Sequence, residues 1–192
     1  MNILAHLHLA SLASSSISGN AVADFIKGDP YLRYDHTIAD GVMMHRRLDK
    51  LVDELPAIKA AKNFFRPEVK RVAPITLDIV WDHFLSKHWQ CYADCQLAQF
   101  NASMKVIIDE DISTLPDEFA HFMHHLWQEK WLIRYGEVDF IARVLNGMAN
   151  RRPKLVALGD TFVDFKQNYR QLEQVFGDFY PQLMEKAINH CL

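Results

Sequence analysis

The chain has 192 residues, of which 49% are hydrophobic and 23% charged, with a formal net charge of −3. That is enough apolar material for one well-cored globular domain, and the slight acidic excess excludes bulk attraction to nucleic acid. Three cysteines exclude a cysteine-built zinc site, because Cys91 and Cys95 are spaced C-x3-C with no second pair to match; with Cys191 they read as free thiols of a reducing compartment, the cytoplasm.

The opening run, MNILAHLHLASLASSS, is apolar and rich in small residues. No Lys or Arg precedes it, and His6 and His8 interrupt it, so it reads as a first helix over about 1–12 and not as a leader. Ser14-Ser15-Ser16 reads as a turn and N-cap for a second helix at about 17–27, stopped by Gly28 and Asp29-Pro30. A third covers about 37–54 and ends before Pro56; a fourth covers about 56–65, and Pro67 breaks the chain. A fifth runs over about 72–89 with Pro74 tolerated in its first turn. After a loop at 90–96 the helical period resumes at about 97–109, 117–134, 137–149 and 153–190, the last interrupted near Gly177 or Pro181. There is no hairpin signal, no repeat and no apolar stretch of about 20 residues that would span a membrane. The expectation is a single compact all-α domain over 1–192, built from about eight to ten helices.

Four pairs of polar residues stand four apart within the first 82 positions: Asn2 and His6, Asn20 and Asp24, His45 and Asp49, Asp78 and Asp82. That spacing places both members of a pair on one helix face. Asp24 lies in Val-Ala-Asp-Phe-Ile, and Asp78 and Asp82 lie in a run of Leu, Ile, Val, Trp and Phe. Two carboxylates there are costly to bury ionised, by several kcal/mol each, and repel one another. A bound cation relieves both problems, and His/Asp clusters of this kind suit Mn, Fe, Zn or Mg. For any one pair alone, a solvated face or a satisfied core histidine is the commoner reading; four pairs on four of the first five helices argue for a centre.

Other clusters carry less. His121, His124 and His125 share a helix with Glu118, which forms a Glu-x-x-His, but the second such motif that a di-iron bundle needs is absent; they read as a surface face. Residues 46–71 hold eight Lys/Arg against four Asp/Glu, which is either a solvated charged face or a dock for an acidic partner.

At these residues the chain resembles the acyl carrier protein phosphodiesterases, also called acyl carrier protein hydrolyases. The stretches are Met1-Asn2-x-Leu-Ala-His6-Leu-His8-Leu-Ala, Ser18-Gly19-Asn20 through Asp24-Phe25, Met44-His45-Arg46-Arg47-Leu48-Asp49, Arg71-Val72-Ala73-Pro74-Ile75-Thr76-Leu77-Asp78, Trp81-Asp82-His83-Phe84-Leu85, and Asn146-Gly147-Met148-Ala149-x-Arg151-Arg152-Pro153. The resemblance implies an all-helical fold distantly related to HD-type phosphohydrolases. It implies metal-dependent hydrolysis, with Mn2+ ahead of Mg2+ or Fe2+, of the phosphodiester joining 4′-phosphopantetheine to the serine of holo-acyl carrier protein, and a link to fatty-acid metabolism. The His-Asp dipeptide of HD enzymes is absent, since Asp35-His36 and Asp82-His83 run in reverse order, so ligand roles are not copied from them.

The expected metal ligands are His6, Asp24, His45, Asp78 and Asp82. The expected catalytic groups are Asp24, His45, His83 and Arg46: His45 or His83 protonates the leaving oxygen, and Arg46 or Arg47 holds a non-bridging one. Arg46, Arg47, Lys59, Lys62 and Arg66 are the expected contacts to the acidic carrier. Two rival readings stay open: an HD-like phosphohydrolase of broader specificity, and a non-enzymatic helical metal-binding module.

Overall fold

A computed structural model describes residues 1–192. It holds eleven α-helices joined by loops and short 3₁₀ turns, with no strand. In chain order they are α1 (Ile3–Leu12), α2 (Ile17–Val22), α3 (His36–Glu54), α4 (Pro56–Ala61), α5 (Ala73–Lys87), α6 (Leu97–Asp111), α7 (Asp117–Gln128), α8 (Trp131–Arg134), α9 (Val138–Arg151), α10 (Thr161–Gln167) and α11 (Tyr169–Ile188). No helix is long and apolar enough to cross a membrane.

Two helices are central because they are apolar all round. α1 buries every residue from Ile3 to Ala10 and packs against α2, α5 and α11. α5 buries eleven of its fifteen residues, Trp81 and Phe84 among them. A buried helix start needs partners for its free amides. For α1 the N-cap Asn2 takes the Ile3 amide at 2.9 Å, and partners for the next two come from another element: the Asp82 carboxylate on α5 accepts from the Leu4 and Ala5 amides at 2.7 and 3.0 Å. α2 is capped as expected, with Ser16 Oγ accepting from the Gly19 amide at 3.0 Å.

α2 and α3 cross in backbone contact. A Cβ on Gly19 would lie 2.4 Å from the Ile38 carbonyl oxygen, and one on Gly41 would lie 2.9 Å from Ser16. Only the missing side chains allow the approach.

Several boundaries differ from the sequence reading. The second helix leaves α geometry after Val22 and continues as the 3₁₀ turn Ala23–Phe25. The run 117–134 divides at Lys130, whose φ of 53° is left-handed, giving α7 and α8. The run 153–190 is not one helix but the 3₁₀ segment Pro153–Leu158, α10 and α11. Nor is α11 interrupted: it passes through both Gly177 and Pro181. Both are exposed, so water satisfies the carbonyl that Pro181 leaves without an amide. The three thiols are free and exposed, and His121, His124 and His125 lie on the surface as expected.

Candidate metal centre

Where α1, α3 and α5 meet, beside the Ala23–Phe25 turn, the structure gathers His6, His45, Asp49, Asp24, Asp78 and the Met1 amino group. His6 and His45 are buried. One ligand atom from each of His6, His45 and Asp49 can be chosen so that all lie within 4.8 Å of one another. His45 Nδ1 donates to the Asn20 carbonyl at 2.8 Å, so Nε2 is the atom that gains or loses the ring's second proton and offers the lone pair once that proton has left. That atom faces Asp49 Oδ2 at 3.2 Å and Asp24 Oδ1 at 3.5 Å. His6 Nε2 meets Asp49 Oδ1 at 3.0 Å. The Met1 amino nitrogen lies 3.0 Å from Asp49 Oδ1 and 3.0 Å from Asp78 Oδ1.

The charges in this group are strongly coupled. Burial and the neighbouring His45 push His6 down to about 4. Burial would also lower His45, but Asp24 and Asp49 outweigh it and raise this imidazole to about 9. Burial opposes ionisation of Asp49, yet His45, His6 and the Met1 amino group hold it far below the usual carboxylate range. His45 likewise holds Asp24 below its ordinary value.

These donors fit a divalent cation. His45 Nε2 is buried without an aligned hydrogen-bond partner, a costly arrangement unless something else meets it. The carbonyl on His45 Nδ1 orients the ring as the outer partner of a metal-ligating histidine does. Two imidazoles and a carboxylate suit Mn, Fe or Zn, and the carboxylates already gather a cation, the Met1 ammonium. The His6, His45 and Asp49 group could therefore hold a metal ion.

Of the residues singled out in the sequence, His6, Asp24, His45 and Asp78 come together here. Asp24 is not in an apolar setting: its side chain is 79% exposed at the mouth of the cluster. Asp82 is not brought in, since it is wholly buried under the first amides of α1. Burial pushes its pKa up to about 7 against those two hydrogen bonds. His83 is also elsewhere: its ring bonds the Tyr135 carbonyl through Nδ1 at 2.7 Å and the Tyr169 hydroxyl through Nε2 at 2.8 Å. Arg46 turns its guanidinium onto the Gly28 and Ile26 carbonyls at 2.8 and 2.7 Å, which holds the loop after Asp24. Arg47 and Lys59 are exposed. Lys62 pairs with Asp53, and Arg66 with the buried Asp164. Asp49 is the residue missed: its spacing from His45 was visible, but nothing in sequence showed that α1 would bring His6 to the same carboxylate.

Fold and site together define an all-helical protein with a metal-competent imidazole–carboxylate centre. The family described as "Acyl carrier protein phosphodiesterase" matches residues 1–183. A relative of that name from Enterobacter sp. (strain 638) is 51% identical over 193 residues, covering 100% of both chains. One from Yersinia enterocolitica is 50% identical over 188 residues and 97% of each chain, and one from Klebsiella pneumoniae (strain 342) is 51% identical over the full length. The chain belongs to the acyl carrier protein phosphodiesterase family. No solved structure matches it.

Proposed function

We propose that this protein hydrolyses the phosphodiester between 4′-phosphopantetheine and the serine of holo-acyl carrier protein, releasing apo-carrier and 4′-phosphopantetheine, with Mn2+ as the preferred cation. The observation that carries the reading is the placing of His6, His45 and Asp49 donor atoms within 4.8 Å of one another, in a chain of this family. His6, His45 and Asp49 would hold the cation, with Asp78 beside them. A divalent ion there supplies positive charge against the phosphoryl oxygens and makes water more acidic.

The chain's own groups do the rest. Asp24, exposed at the mouth of the cluster, takes the proton of the attacking water as general base. Water adds at phosphorus as the bond to the serine oxygen opposite it breaks; that oxygen takes a proton from solvent and Asp24 returns its own proton to solvent, leaving a serine hydroxyl on the carrier and a phosphomonoester on the arm. Arg46 fixes the loop behind Asp24. Arg47, exposed and without a carboxylate partner, is the free guanidinium available to a non-bridging oxygen.

The test is intact-mass measurement of holo-carrier protein incubated with the enzyme. Mn2+ is expected to support loss of the arm, and chelation to abolish it. Full activity in metal-stripped protein with chelator present would sink the metal-dependent reading. Faster turnover of bis-p-nitrophenyl phosphate than of carrier would favour a phosphodiesterase of broad specificity.

A further inference from the structure

We infer that the carrier docks on a face assembled from two segments far apart in sequence, Lys70-Arg71 and Arg151-Arg152-Pro153-Lys154, with Val156 as its apolar point; this rests on the proposed carrier-protein substrate. Arg71 Nη2 donates to the Lys154 carbonyl at 2.7 Å, joining the two segments. All five cations are exposed, and none is in a salt bridge. Lys70 meets only the neutral amide of Asn63. Glu68 is the one carboxylate in the stretches 66–71 and 151–156. Val156 is 70% exposed among these charges. Cations around an apolar side chain suit a partner with acidic side chains around an apolar contact of its own.

The face also leads to the reaction centre. From Ala73 to Ser86, the residues of α5 that are not buried are Pro74, Ile75 and Asp78. They form one stripe, which runs from Arg71 to the carboxylate beside the Met1 amino group. By contrast, two of the cations first assigned to docking are neutralised by carboxylates, Lys62 by Asp53 and Arg66 by Asp164.

The test compares the full-length wild-type protein with Arg151→Glu/Arg152→Glu/Lys154→Glu, with Val156→Ser, and with equal charge reversal at the remote Lys105, Lys130 and Lys186. Each is assayed on holo-carrier over a salt series and on bis-p-nitrophenyl phosphate, with melting temperature checked. Binding of product apo-carrier is read by fluorescence anisotropy. The docking triple should raise KM for holo-carrier at least tenfold, flatten the salt dependence and weaken apo-carrier binding to match. Val156→Ser should raise KM severalfold. The small substrate should stay within twofold, and the remote triple should behave as wild type. Unchanged KM in the docking triple, or equal losses on both substrates in a folded variant, would overturn the dock. A wild-type protein that leaves the carrier intact would overturn the phosphodiesterase reading itself, and the dock with it.

Discussion

The imidazoles of His6 and His45 lie face to face, 3.6 Å between ring centres and 11° from parallel. Two stacked, buried rings do not both carry a proton cheaply. The proton goes to His45, which faces Asp24 as well as Asp49, and His6 stays neutral across the physiological range. A cation that uses both rings must displace the proton from His45.

Metal affinity should therefore depend on pH. With His45 at about 9 in the metal-free protein, apparent Mn2+ affinity should rise about tenfold per pH unit from pH 6.5 towards 9, with about one proton released per ion. Calorimetry in buffers of different ionisation enthalpy measures both. Affinity independent of pH over that window would show that His45 is not a ligand.

Stability of the metal-free protein should move the other way. The folded pKa of His45 lies above its unfolded value of 6.5, so its contribution is complete below pH 6.5 and is lost as pH rises through about 9. The Met1 amino group, raised from 8.0 to about 10, adds a loss of the same sign at higher pH. Melting temperature without metal should fall from pH 6.5 to 9.5, and saturating Mn2+ should remove most of that fall.

Carboxylates at the centre should separate from the one that holds the scaffold. Asp49→Asn, Asp24→Asn and Asp78→Asn should each cut turnover of holo-carrier by orders of magnitude. For Asp24→Asn and Asp78→Asn, metal-free stability should fall only modestly, because each variant loses one ion pair, with His45 or with the Met1 ammonium, while Asp49 still faces both cations. Paired melting and turnover measurements decide this. Near-normal turnover in both of those variants would take Asp24 and Asp78 out of the site.

Asp82→Asn should do the opposite. It keeps one acceptor for the α1 amides but turns the other into an NH2 donor facing an amide, and should cost about 1–3 kcal/mol of stability while activity per folded molecule is largely retained. Urea unfolding and active-site-normalised turnover test it.

Gly41→Ala probes how the helix crossing sets His45. The new Cβ meets Ser16 at 2.9 Å and Gly19 Cα at 3.0 Å, so α2 and α3 must separate. The expected loss is about 1–3 kcal/mol. Weaker Mn2+ binding should accompany it, since the Asn20 carbonyl that orients His45 rides on α2. Loss of stability with unaltered Mn2+ affinity would mean the crossing does not position the ring.

Local patterns in the chain were sufficient for one all-helical domain, for most helix starts and for the polar pairs at one-turn spacing. Hydrophobic period, proline and capping residues act over a few residues, so they are legible without a fold. The sequence motifs were also sufficient for the family. What they could not determine was which members of the pairs meet. Asp78 and Asp82 differ by only about 40° around α5 and about 6 Å along it. Yet the docking of α1 sends Asp82 under the Leu4 and Ala5 amides and leaves Asp78 beside the Met1 amino group. The same packing brings His6 to Asp49, a contact spanning 43 residues. The tertiary structure alone decided this, because the rotation and offset of each helix are set by the packing of its whole buried face, and not by the few residues around a motif.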